Sequence, residues 1–267
     1  MDKILIFIPM YNCEKQIPRV LHRIAALGEA QRLFSQVLVV DNRSTDGSLH
    51  AAGEAVGALA IPVTVVQNCE NYSLGGSHKV AFEYALKNGF DAVVVLHGDD
   101  QGDLADLVPY LQNGTAQRFD SFLGSRFAKG ARLVNYSGFR IFGNHVFNAI
   151  FSVCTGRRIT DLGAGLNYYR TDYLRSEIYL PFPNDLTFNV YLLLYGVYSR
   201  SRFAFFPLSW REEDQVSNAK LAAQTRRMLR LLGQYLFRRR RLFAPCQDAR
   251  RDYRFTVIAE QHPEGLE

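Results

Sequence analysis

An apolar, β-branched run, Val93-Val94-Val95-Leu96, stops abruptly at His97-Gly98-Asp99-Asp100-Gln101-Gly102-Asp103, and no other feature of the chain restricts its fold as much. A run of that kind reads as a buried central strand of a parallel sheet. Ligands of open α/β sheets bind beyond the carboxyl ends of such strands, so this one delivers oxygen atoms to a binding edge. Carboxylate and amide oxygens suit a hard divalent cation, Mg2+ or Mn2+, that shares its shell with substrate phosphates. Two readings stand on these residues alone: a metal–diphosphate site, or an acidic turn whose Asp103 caps the next helix.

The pattern recurs upstream. Residues 3–8, 36–41, 62–67 and 92–97 read as strands separated by helical stretches, the signature of βαβ units. Asp46-Gly47-Ser48 opens a second helix, and Ser77 is expected to cap a third carrying Val80, Tyr84 and Leu86 and ending near Asn88-Gly89. Beyond about Asn113-Gly114 the alternation fades. In the helix-like stretch 136–154, Phe139, Phe142, Val146, Ile150 and Val153 recur at three- and four-residue spacing, which predicts a core-packed helix first and a membrane-facing one as the alternative, while 203–210 reads as a late strand.

With 267 residues, 48% hydrophobic and 21% charged, the chain can bury one large core. Its net charge of +5 is concentrated: Lys220, Arg226, Arg227, Arg230 and Arg238 to Arg241 place eight positive charges and no acid in 218–241, leaving −3 elsewhere. That distribution argues against a nucleic-acid partner for the chain as a whole. No apolar stretch approaches the ~18 residues of a membrane span, and residues 3–9 are too short for a signal-peptide core, so a cytoplasmic protein is expected. Cys13, Cys69, Cys154 and Cys246 form no CxxC pair and are assigned no chemistry.

Three segments together carry a resemblance: Ile8-Pro9-Met10-Tyr11-Asn12-Cys13-Glu14, Val39-Val40-Asp41-Asn42-Arg43-Ser44-Thr45-Asp46-Gly47-Ser48, and His97-Gly98-Asp99-Asp100-Gln101, extended by Gly124-Ser125-Arg126-Phe127 and Asp161-Leu162-Gly163-Ala164-Gly165-Leu166. In this order they resemble the family 2 glycosyltransferases of the GT-A fold, nearest the dolichol- or polyprenyl-phosphate sugar transferase branch. The resemblance implies a Rossmann-like, mostly parallel sheet flanked by helices. It also implies a glycosyltransferase domain over 1–212, with 1–113 as nucleotide-binding half and 114–212 as acceptor half, and a basic amphipathic helical tail over 213–267.

The resemblance further implies an inverting transfer of sugar from a UDP- or GDP-linked donor to a polyprenyl-phosphate or lipid-linked glycan. Pro9, Tyr11, Asn12, Glu14 and Asp41 would hold the nucleotide, Tyr11 by stacking and Asp41 by accepting a hydrogen bond from the base. Asp99, Gln101 and His97 would hold the metal, His97 standing where the family has its first Asp. Arg126 and Arg140 fall at phosphate-binding positions, and Lys129 and Arg132 add cations for the diphosphate or an acceptor phosphate, solvated surface cations being the alternative for all four and more so for these two. A hydroxyl acceptor needs a base, for which Asp161 comes first and Asp185 second; a phosphate acceptor does not. Leu221, Thr225, Met228, Leu232 and Tyr235 line one face of the basic tail, which suits either peripheral attachment to an anionic membrane, the inner face of the cell membrane, or a terminal helix packed on its own domain. The competing class is a nucleotide-sugar-binding scaffold that kept the fold. A sugar-phosphate nucleotidyltransferase would begin with a glycine-rich phosphate loop, which residues 8–12 lack.

Overall fold

A computed structural model describes residues 2–213, 221–244 and 252–263. Four parallel strands form the centre: β1 (Ile4–Met10), β2 (Gln36–Asp41), β3 (Val63–Asn68) and β4 (Ala92–Leu96). Helices α1 (Ile17–Ala25), α2 (Ser48–Ala55) and α3 (Ser73–Lys87) connect them. The β-branched runs are buried on both faces, as a sheet covered on both sides requires.

The chain continues through α4 (Val108–Gln112), β5 (Ser121–Ser125), β6 (Leu133–Val134), α5 (Gly138–Thr155), β7 (Leu166–Arg170), α6 (Thr171–Leu174) and α7 (Phe188–Tyr198). It ends with β8 (Phe203–Pro207), β9 (Trp210–Arg211), α8 (Leu221–Leu242) and β10 (Phe255–Gln261). One eight-stranded sheet runs β10-β3-β2-β1-β4-β7-β5-β8, with β6 and β9 paired beside it. Strand β7 is antiparallel to both β4 and β5, and β10 is antiparallel to β3. The two halves expected from the sequence therefore share a single sheet.

Three expectations need correction. Helix α3 begins four residues before Ser77, which lies buried inside it and accepts from Asn68 Nδ2 at 3.2 Å. The boundary at 212 does not separate a tail, because β10 closes the sheet edge and α8 buries Leu231, Leu232 and Tyr235 in the core on the α3 face of the sheet. Residues 214–220, including Lys220, and Cys246 lie outside the described residues.

The third correction concerns α5. Its spacing is helical, but Phe139 is 75% exposed, Phe142 68% and Val153 83%, with Val146 and Ile150 also on the surface. Only Asn148 and Phe151 of α5 are buried. Periodicity identifies an apolar stripe; it does not say what covers it.

Candidate functional site

The βα loops at the carboxyl ends of β1, β2 and β4 are laced together before any ligand is considered. Asn12, at φ +53°, accepts from the Thr45 amide at 2.8 Å, and its own amide donates to Ser44 Oγ at 3.0 Å. Glu14 accepts from the Gly47 amide at 3.2 Å, and a Cβ on Gly47 would sit 2.7 Å from that carboxylate. Asp46 accepts from the Ser48 amide at the start of α2. Asn12 and Glu14, expected as nucleotide contacts, are thus occupied in joining two loops. Asp41 is fully buried and accepts from Gln67 Nε2 at 2.8 Å and from the Ser44 amide at 3.2 Å.

Above this floor lies a cavity of about 420 Å3 lined by Pro9, Tyr11, Asn42, Asn71, His97 and Asp185, among others. Its size and mixed lining suit a small organic ligand. Tyr11 is 45% exposed, a ring presented to the cavity rather than packed in the core. Asn42 takes the place at the wall that Asp41 was expected to fill. It donates to Asn71 Oδ1 at 2.8 Å and accepts from Asn68 Nδ2 and the Tyr72 amide at 3.0 and 2.8 Å, tying the end of β2 to the start of α3. Asn42 and Asn71 were not singled out as cavity residues because a single asparagine in a polar loop has no spacing to mark it.

The acidic turn closes one side of the cavity. Gly98 donates its amide to Pro9 O at 3.1 Å, an approach that a side chain would crowd. The His97 amide donates to Gly165 O at 3.0 Å, and a Cβ on Gly165 would meet the imidazole at 2.9 Å. His97 Nδ1 stands 4.0 Å from Asp99 Oδ2, while its Nε2 is buried with no hydrogen-bond partner among the described residues. Burial holds the His97 imidazole below its ordinary range, against the pull of Asp99, and Arg126 is near enough to push the same way. Burial raises the Asp99 carboxyl, partly offset by His97.

Asp100 has a different task. At φ +58° it turns back beneath the sheet edge, where its carboxylate meets Arg19 Nε at 2.9 Å and Arg23 Nε at 2.8 Å, two α1 cations one helical turn apart. It is committed to fixing the turn. A cation at Asp99 would find an oxygen donor and a nearby imidazole, but among the described residues no three His, Cys, Asp or Glu side chains form a metal-binding group. Such a donor set fits a hard divalent ion that takes most of its shell from phosphate and water, not one enclosed by protein.

Arg126 follows β5, where Gly124 lets the backbone pass Leu166 O; a Cβ there would lie 2.5 Å from that oxygen. Its guanidinium grips Asp161 with Nε and Nη2, both at 2.8 Å, while the Arg126 amide donates to the same carboxylate at 2.9 Å. Rings of Phe127, Tyr136 and Trp210 surround it at 5.1 to 5.8 Å. Burial opposes its charge, but Asp161 outweighs burial and raises the Arg126 pKa. Asp161 also accepts from the Gly163 amide at 3.0 Å, so the first candidate for a base is saturated. Asp185, the second, accepts from Thr187 and from Arg227 Nη1 of α8 at 3.0 Å.

Arg140 lies 4.6 Å over the Tyr136 ring and donates through Nη1 to both Glu212 oxygens at 2.6 Å. Strand β9 brings in a residue the sequence reading missed. The Arg211 amide donates to Gln101 O at 3.0 Å and its guanidinium reaches Asp103 at 3.3 Å, which places a cation beside the acidic turn. Asp103 also caps the next turn by accepting from the Ala105 amide, so both readings of the acidic segment have residues to carry them.

The model for Glycosyl transferase family 2 matches residues 5–176. The undecaprenyl-phosphate mannosyltransferase of Micrococcus luteus is 30% identical over 175 residues, 65% of this chain and 69% of that protein. The polyprenol monophosphomannose synthase of Mycolicibacterium smegmatis is 28% identical over 180 residues, 65% of this chain and 63% of its own length. Among solved structures, the glucosyl-3-phosphoglycerate synthase of Mycobacterium tuberculosis, in complex with Mn2+, UDP and phosphoglyceric acid, superposes with a TM-score of 0.63 at 17% identity, over 98% of this chain and 90% of that one. The likeness to that structure is one of fold, and the sheet described above is the GT-A arrangement. With the three loop motifs at one sheet edge and the family match spanning them, the chain belongs to glycosyl transferase family 2, and its sequence relatives fall in the polyprenyl-phosphate sugar transferase branch.

Proposed function

We propose that this protein transfers a sugar, with inversion, from a nucleoside diphosphate sugar to a polyprenyl phosphate. The observation that carries the choice of acceptor is the engagement of Asp161 by Arg126 and of Asp185 by Arg227. A hydroxyl acceptor would need a carboxylate free to take its proton, whereas a phosphate is already an anion and needs none. The Micrococcus and Mycolicibacterium relatives are named for polyprenyl-phosphate sugar transfer, which supports the same acceptor.

In this reading Tyr11 and the Asn42–Asn71 wall hold the base and ribose, and Asp41, Asn12 and Glu14 fix the loops that present them. Asp99, with Gln101 and His97 beside it, would hold Mg2+ or Mn2+, which supplies charge neutralisation at the leaving diphosphate. Arg211 stabilises negative charge at the same edge, and Arg140, partly exposed in its pair with Glu212, takes the acceptor phosphate. Arg126, held from three sides, positions the β5 loop and sets the local potential more than it offers free donors.

Leu232 and Tyr235 of the expected apolar face of α8 are buried, but Leu229, Leu236 and Phe237 are exposed among Arg226, Arg230 and Arg238 to Arg241, a composition that suits peripheral contact with an anionic membrane. Among the described residues no helix is long and apolar enough to cross a membrane. The direct test incubates the full chain with radiolabelled UDP- and GDP-sugars, a short-chain polyprenyl phosphate in detergent, and Mn2+ or EDTA. Lipid-extractable label that requires the phosphate supports the proposal. Nucleotide binding with no transfer to any acceptor supports the scaffold reading, which the histidine at position 97 favours.

A further inference from the structure

A second cavity of about 420 Å3 lies away from the nucleotide edge, lined by Lys129, Arg157, Arg158, Thr160, Phe203 and Phe205. It contains three cations and no acid in its lining, and among the described residues none of the three cations has an ion-pair partner. Arg157 lies 5.1 Å over the Phe203 ring, and the buried Thr160 hydroxyl has no hydrogen-bond partner among the described residues. Strand β8, which supplies the aromatic floor, is the outer strand of the sheet. An anion with an apolar neighbour is the ligand these groups complement.

Helix α5 identifies the source of that anion. Its 18 residues contain one charged side chain, Arg140, and its exposed stripe from Phe139 to Val153 contains none. A helical face bathed in water normally carries charges. The stripe ends at Val153, Gly156 turns the chain at φ +66°, and Arg157 and Arg158 follow at once. An apolar stripe that finishes at a cationic, aromatic-floored cavity has the order of a bilayer interface, acyl chains beside one and phosphate beside the other.

We infer that Lys129, Arg157, Arg158 and the β8 edge form a binding site for the phosphate headgroup of an anionic membrane lipid, with the α5 stripe lying in the bilayer surface. The site is separate from the catalytic phosphates yet shares two chain segments with them. Arg126 and Lys129 belong to one loop, and Asp161 adjoins Thr160 in the other. Seating on the membrane would therefore fix the loops that carry the Arg126–Asp161 pair. The inference deepens the polyprenyl-phosphate reading but does not use it as evidence.

The experiment is co-sedimentation of the full chain with phosphatidylcholine vesicles, with and without phosphatidylglycerol. The triple variant Lys129→Ser, Arg157→Ser, Arg158→Ser should lose roughly 10²-fold in partition onto the anionic vesicles, from about 1 kcal/mol per cation near the surface. A charge-matched control, Arg32→Ser, Lys87→Ser, Arg175→Ser, should keep wild-type partition, and Phe142→Ser with Val153→Ser should weaken binding to both vesicle types. Equal sedimentation of the triple variant and wild type overturns the inference. So does thermal stabilisation by inorganic phosphate without vesicle binding, or concentration-dependent dimerisation in sedimentation velocity that the α5 variant abolishes. Transfer to polyprenyl phosphate in detergent, measured on Arg157→Ser with Arg158→Ser, should persist, so loss of the lipid site and failure of the enzymatic reading give different results.

Discussion

Replacing Asp161 with Asn tests the interaction on which the acceptor argument rests. Arg126 is 8% exposed and Asp161 3%, and the carboxylate receives two guanidinium and two amide hydrogen bonds. Asn keeps one acceptor but leaves a buried guanidinium without its counter-charge. Removing one partner of a buried pair costs about 3–5 kcal/mol. At roughly 2–4 °C per kcal/mol for a chain of this size, the melting temperature should fall by about 6–20 °C. The assay is thermal unfolding followed by circular dichroism, repeated on Asp161→Asn combined with Arg126→Met, which removes both charges and should recover most of the loss. A single variant that melts within about 2 °C of wild type would show that the pair is neither buried nor strong. Asp161 would then be available as a base, and the acceptor argument would fail.

Four further outcomes follow. Nucleotide affinity, measured calorimetrically with UDP and GDP, should drop when Mn2+ is replaced by EDTA, since Asp99 then faces the diphosphate unscreened; equal affinity would remove the metal from the account. Arg140→Lys should reduce kcat/KM for the acceptor by roughly tenfold or more because a point charge does not reproduce guanidinium contacts to phosphate; wild-type kinetics would make Arg140 a surface cation. Burial lowers the His78 pKa from 6.5 to about 3, so the folded state refuses a proton that the unfolded chain accepts. Stability should fall as pH drops from about 6.5 toward 3, and His78→Leu should make that fall shallower by up to about 1.4 kcal/mol per pH unit; an unchanged pH–stability slope would contradict it. Finally, ending the chain at Ser217 removes β10 and the buried Leu231, Leu232, Tyr235 and Tyr253, whose burial is worth on the order of 10 kcal/mol. That truncated chain should fail to give a cooperative melt.

The central sheet was legible because its strands are unambiguous: 36–41 matches β2, and the other three parallel strands differ from their expected bounds by two residues or fewer. Strand β7, Leu-Asn-Tyr-Tyr-Arg, was missed because it is short and begins where a loop motif ends. Strand β10 was assigned to a tail because its partner, β3, is nearly two hundred residues away. Within the site, spacing showed which loops converge but not which side chains face the cavity. Asp99 and Asp100 are chemically identical in sequence, and only the left-handed turn at Asp100, with Arg19 and Arg23 waiting on α1, separates the carboxylate beside His97 from the one anchored to α1. Asn12 and Glu14 likewise carry motif positions whose hydrogen bonds are spent within the loops. For α5, helical spacing identified the right five residues and the wrong environment.

We propose that the strand-end edge bearing Asp99 performs sugar transfer to an anionic lipid acceptor. Its most direct measurement is the appearance of lipid-extractable radiolabel from a nucleotide sugar and short-chain polyprenyl phosphate, for wild type and Asp99→Asn at equal, folded concentrations. Transfer that depends on the terminal phosphate and falls roughly 10²-fold or more in Asp99→Asn, with an unchanged melting curve, is the predicted result. Transfer that survives the substitution, or label that reaches the dephosphorylated polyprenol equally well, would contradict the account.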